Sequence, residues 1–204
     1  ELDRRIDQYR DLINDNKPHT AYSLLESLEK DIPADIDPRI KYRITANKAA
    51  CNLRLGNMDI AAKGYLESYA ICPDAPKADA HKVLGLVLQN KDKEAFDFGL
   101  ECIPKTQDQQ ALFTNLLIAK KGLPEEEKPF EFIPDEIQDD TNILIAKIDY
   151  LRSFNNRPAW RELAHYATEK YPDDDILKRF DAEATLDDIC EKIDASVLDR
   201  LDPG

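Results

Sequence analysis

The sequence predicts an all-α fold, and three observations carry that expectation. Glycine is scarce, at six residues in 204, which argues against sheet-rich folds with many tight turns and against glycine-rich phosphate loops. Apolar residues recur at helical spacing, while few stretches alternate with period two. With 42% hydrophobic residues, the chain can bury a core and does not read as disordered.

The first helix covers residues 2–14 and ends at Asn14-Asp15-Asn16. The second runs from Pro18 to Asp31 and stops before Pro33. Asp37 caps the third, with Pro38 at the first helical position, where a missing N–H costs nothing. It runs to Leu55, and Gly56-Asn57 ends it with a pair that tolerates left-handed backbone. A fourth helix covers 59–71, before Pro73. The fifth, 77–89, places Ala80, Val83, Leu84, Val87 and Leu88 at i, i+3, i+4, i+7 and i+8. The sixth, 92–103, stops at Pro104, and Thr106 to Gln109 read as a capping box opening a seventh that runs to Lys121.

Residues 122–140, GLPEEEKPFEFIPDEIQDD, break the rhythm with three prolines and eight acidic residues. They are expected to form an irregular insertion or linker, clipped by Phe130, Phe132 and Ile133, between helix pairs in 1–121 and further helices in 141–204. Helices resume at 141–154, 158–170, 174–183 and 186–201, about 11 in all. The last carries an apolar stripe at Leu186, Ile189, Cys190, Ile193 and Val197. Such a stripe either packs back to cap the end of an array or stays exposed for docking; capping is the expectation.

A net charge of −13 disfavours non-specific binding to nucleic acid or to an anionic membrane. The charge is uneven: residues 1–100 carry 15 basic and 17 acidic side chains, and residues 101–204 carry 13 and 24. A site for an acidic ligand is therefore expected in the first half. No stretch approaches the ~20 apolar residues of a membrane span. The chain begins at Glu1 without an initiator methionine; a segment of a longer polypeptide is the expectation and a processed mature chain the alternative. Cys51, Cys72, Cys102 and Cys190 form no C-x-x-C, and the expectation is reduced packing thiols in a cytoplasmic setting.

Little points to catalysis. His19, His81 and His165 fall in no zinc motif, although His165 and Glu169 stand one helical turn apart. There is no phosphate loop, no G-x-S-x-G and no dinucleotide fingerprint. Pro172-Asp-Asp-Asp175 lacks the spacing of a calcium loop and suits the acidic first turn of a helix. No enzyme activity, cofactor or metal is expected. A metal-dependent enzyme on a helical scaffold is the weaker alternative.

Three helix pairs share one layout. Each first helix ends in a polar turn, at Asp15-Asn16-Lys17, Gly56-Asn57-Met58 and Asn90-Lys91-Asp92. Each second helix then places an alanine in its first turn, at Ala21, Ala61 and Ala95. Ala61 and Ala95 lie 34 residues apart, and Ala21 and Ala61 lie 40 apart. Two antiparallel helices at a close crossing need small side chains at the contact, which Ala61 and Gly64 supply, with Tyr65 filling the adjacent hole. The helix over 37–55 is apolar on two sides, at Ile40, Ile44, Cys51 and Leu55 and at Tyr42, Ala46, Ala49 and Leu53, so it must contact two neighbours.

This layout resembles the tetratricopeptide repeat family. The segment NLRLGNMDIAAKGYLESYAICPD, residues 52–74, carries the resemblance best: Leu55-Gly56 match the family's turn, Ala61 its small residue, Tyr65 its aromatic and Pro73 its closing proline. Ser68, Asn52, Lys48 and Gln107 depart from the pattern, and Trp160 stands at the alanine position of a weaker unit over 139–172. The resemblance implies a right-handed superhelical array of antiparallel helix pairs that acts as a non-enzymatic interaction module or scaffold. Such a module binds a peptide or partner protein in its concave groove. A sensor or regulatory arm of a larger signalling or defence protein is the alternative.

Between Pro38 and Met58 there is no acidic residue, yet Arg39, Lys41, Arg43, Lys48 and Arg54 are basic. Arg39, Arg43, Asn47, Ala50 and Arg54 share one helical face. The resemblance places Arg43, Asn47, Ala50 and Arg54 on or near the groove. Asn47 also resembles the asparagine of family members that clamp a C-terminal carboxylate. Lys77 and His81 stand where those members have lysine and arginine, whereas Ile6 and Arg10 depart from the clamp. The candidate contact residues are Arg10, Arg43, Asn47, Arg54, Lys77 and His81, acting as donors to carboxylates or carbonyls of an acidic or polar segment. The alternative is a solvated basic face balanced by acidic neighbours.

Overall fold

The computed structural model describes residues 1–201, with side chains as far as Val197. Asp202-Pro203-Gly204, the end of the expected 141–204 segment, lie outside the described residues. Among the described residues there are ten α-helices, one 3-10 turn at Asp135–Ile137 and no strand. The chain divides into two units, Glu1–Pro124 and Glu125–Gly204.

The first unit holds α1 (Leu2–Asn14), α2 (Pro18–Asp31), α3 (Pro38–Arg54), α4 (Met58–Ile71), α5 (Ala78–Leu88), α6 (Asp92–Cys102) and α7 (Gln109–Lys120). Successive helices pack on one another, and α1 also packs on α3 and α5 on α7. The hairpin turns share one geometry. Asn16, Gly56 and Asn90 adopt φ of 59°, 79° and 59°, a region that asparagine and glycine enter most readily. The next amide then reaches back across the turn, from Lys17 to Leu12 O, Asn57 to Asn52 O and Lys91 to Leu86 O, which satisfies carbonyls that the helix end leaves unpaired. Ala21, Ala61 and Ala95 follow at the same place in each second helix and are all fully buried.

Helix α3 uses both of its apolar sides. Ile44 and Cys51 join Ile6, Ile13, Leu25 and Leu28 of α1 and α2, while Ala49 packs with Ala61 and Tyr65 of α4. The α3–α4 crossing is tight, because a Cβ on Gly64 would lie 2.9 Å from the Ala49 Cβ. Ser68 is also buried and donates its hydroxyl to Tyr65 O at 2.7 Å. The seventh helix differs from expectation. Its N-cap is Asp108, whose carboxylate accepts from Ala111 N at 2.9 Å, so Thr106 does not open it.

The second unit holds α8 (Thr141–Ser153), α9 (Arg157–Lys170) and α10 (Asp175–Leu201). Its hairpin repeats the same turn, with Asn155 at φ 54° and Asn156 N bonded to Leu151 O. Trp160 takes the alanine position. The core joins Leu144, Ile148, Tyr150, Trp160, Ala164, Leu177, Phe180 and Ala184. Residues 125–140 belong to this unit. Ile133 is buried, Phe130 meets the Tyr150 ring edge-on at 5.5 Å, and buried Lys147 donates to Gln138 O and Oε1 at 2.9 Å each.

Helix α10 is one helix of 27 residues rather than two. No glycine or proline interrupts it, and Asp174 caps its start by accepting from Ile176 N and Leu177 N. Its stripe, expected to pack back against other helices, is exposed instead: Leu186, Ile189, Ile193 and Val197 are 62%, 47%, 55% and 46% exposed. Cys190 is exposed with them, whereas Cys51 and Cys102 are buried and Cys72 is half-buried.

Candidate functional site

Five of the six residues expected to contact a partner line one open cavity in the first unit. Arg10 comes from α1, Arg43 and Asn47 from α3, Lys77 from the residue before α5 and His81 from its first turn. The cavity has a volume of about 370 Å³. Tyr42, Ala46 and Pro76 complete it with apolar surface. Arg54 lies outside it: seven residues beyond Asn47 on the same face, it stands about 10 Å further along the helix.

The floor is aromatic. Tyr42 and His81 share a hydrogen bond of 2.8 Å between the phenol oxygen and Nδ1, and their rings stack with centroids 5.5 Å apart. Tyr65 also meets His81, tilted, with ring centroids 5.1 Å apart. Burial, with Lys77 nearby, lowers the His81 pKa to about 4, so the imidazole is neutral near pH 7. Burial raises the Tyr42 phenol above its usual range and pushes Tyr65 up to about 12. Tyr42 and His81 therefore present neutral polar groups to the cavity.

The rim is cationic but already partnered. Arg43 bonds Asp3 and, at 2.8 Å, Asp7. Asp7 also lies 3.1 Å from Arg10, which in turn is 3.6 Å from Asp11. Lys77 sits 3.7 Å from Asp108, the cap of α7. Carboxylates of α1 thus balance Arg43 of α3, and Glu29 of α2 pairs with Lys48. An incoming acidic group meets cations whose charge is shared, and exposed exchangeable pairs of this kind are individually weak. Arg43 doubles as a tie between α1 and α3, while Asn47 and Lys77 are the more available donors.

Tyr42 and Ala46, on a packing side of α3 by their spacing, are buried and also line the cavity beside Arg43 and Asn47. One signal was present: Tyr42–Ala46 and Arg43–Asn47 are adjacent i, i+4 ridges. Pro76 carried no comparable signal. The other sequence candidate, His165, pairs with Asp181 of α10 at 2.5 Å rather than with Glu169. Among the described residues, no group of three or more histidine, cysteine, aspartate or glutamate side chains is placed to hold a metal ion, and no helix is long and apolar enough to cross a membrane.

No family model, curated protein or solved structure matches the chain.

Proposed function

We propose that the chain is a non-enzymatic protein-interaction module, a tetratricopeptide-like right-handed array whose α1–α3–α5 cavity receives a segment of a partner protein. The convergence of Arg10, Arg43, Asn47, Lys77 and His81 on one cavity carries the reading. Four hairpin turns with the same left-handed residue and backbone bond support the repeat architecture. The chemistry favours an apolar or aromatic side chain on the Tyr42–Ala46–Pro76 surface. An adjacent carboxylate or peptide carbonyl is met by Asn47 and Lys77.

Peptides selected from a random library against the folded chain, then measured by fluorescence anisotropy, test this. The selected peptides should carry an acidic or terminal carboxylate beside an apolar residue. Asn47→Ala with Lys77→Ala should weaken them at least tenfold, and Arg54→Ala should not. Equal binding to all three proteins would move the site elsewhere.

A further inference from the structure

Helix α10 presents different chemistry on opposite faces, and its apolar residues change sides partway along. At about 100° per residue, Leu177, Phe180 and Ala184 fall on one face and are buried in the core of the second unit. Asp187, Asp188 and Glu191 continue that same face. They meet Arg157 and Arg161 of α9: Arg157 grips Asp187 through Nε at 3.1 Å and Nη2 at 2.5 Å, and Arg161 reaches Asp188 at 3.2 Å and Glu191 at 2.5 Å. Leu186, Cys190, Ile193 and Val197 fall on the opposite side, at the 4-3-4 spacing of a helix-pairing seam. Turning that stripe inward would break every one of these arginine contacts.

We infer that the outward stripe of α10 is a docking surface for an amphipathic helix of a partner protein with basic flanks. The inference is independent of the cavity in the first unit. Charge decides the occupant. Residues 125–204 carry 22 acidic and 10 basic side chains, so nearly all of the chain's net charge of −13 resides in this unit. One edge of the stripe carries Asp194 and Glu183, the latter paired with Arg152 at 2.9 Å, and the other carries Thr185, Lys192 and Ser196. A second copy would set this negative unit against itself, which like-charge repulsion opposes. The seam from Leu186 to Val197 spans about 16 Å, under two heptads. A basic helix instead gains both apolar burial at i, i+3, i+4, i+7 anchors and an attractive field.

Two synthetic helical peptides test it, both with leucine at the seam positions, one flanked by lysine and one by glutamate. Their binding is measured by fluorescence anisotropy to the full chain and to its Leu186→Gln/Ile193→Gln variant. Both substituted residues are exposed, and an unchanged circular dichroism spectrum verifies the variant's fold. The lysine-flanked peptide should bind the parent chain, and at least tenfold more weakly in the variant and at high salt. The glutamate-flanked peptide should bind at least tenfold more weakly to the parent chain. Equal binding of the lysine-flanked peptide to parent and variant, equal affinity of the two peptides, or no binding by either overturns the proposal. So does a dimer in sedimentation equilibrium that the double substitution abolishes, because the occupant is then a second copy.

Discussion

Acidification should unload the cavity floor in a way that one residue controls. His81 titrates at about 4 in the folded chain against 6.5 for the free side chain, because burial between Tyr42 and Tyr65 penalises the imidazolium. Between those values the unfolded chain binds a proton that the folded chain refuses. Stability from this group is therefore full above pH 6.5 and falls as the pH drops toward 4. The whole difference corresponds to about 3 kcal/mol, with roughly 2–3 kcal/mol lost by about pH 4.5. Urea unfolding of the parent chain and of His81→Gln, at about pH 7 and about pH 4.5, isolates the effect, since the carboxylates titrate in both. Glutamine keeps an amide that can hydrogen-bond the Tyr42 phenol but takes up no proton. The parent should lose roughly 2–3 kcal/mol more than the variant over this interval. Equal losses would refute the burial argument, as would an imidazole NMR titration midpoint near 6.5.

Other substitutions probe the packing and the turns. Ala61→Leu should destabilise the chain by roughly 1–3 kcal/mol in urea unfolding, because Ala61 is fully buried at a crossing where even a Cβ on Gly64 would press on Ala49. Asn90→Val should cost about 1–2 kcal/mol and Asn90→Gly almost nothing, since only the first strains a φ of 59°; melting temperatures in the opposite order would contradict the shared turn. Arg161→Gln should speed amide exchange across residues 186–197 while leaving α8 protected, because Asp188 and Glu191 lose their contact with α9.

The helix ends were legible where the sequence carries local stop signals. Pro18, Pro38, Asn16, Gly56 and Asn90 act through their own backbone preferences, and the observed boundaries follow them to within a residue or two. At α7 the sequence offers two capping oxygens two residues apart, the Thr106 hydroxyl and the Asp108 carboxylate, and the chain path before Gln109 selects the carboxylate. Helix α10 was divided because its apolar phase jumps after Ala184. That jump reads like a new helix, when it records one continuous helix that serves two surfaces.

The candidate site was legible in part for a similar reason. Arg43 and Asn47 share a face of α3, and that much follows from spacing. The pairing of Arg43 with Asp3 and Asp7 joins residues 40 and 36 positions apart, which no local period encodes. The same limit hid the contact between Tyr42 and His81, 39 positions apart. Arg54 shares the spacing but lies beyond the cavity, whose lining from α1 and the start of α5 reaches only as far along α3 as Asn47.

The most direct test of the cavity as the docking site is a titration of the isotopically labelled chain with the tightest selected peptide, followed by amide chemical-shift mapping. The largest shifts should fall on Arg10, Tyr42 to Asn47 and Lys77 to His81, with Arg54 almost unmoved. Shifts centred on residues 125–197, with those positions unaffected, would contradict it.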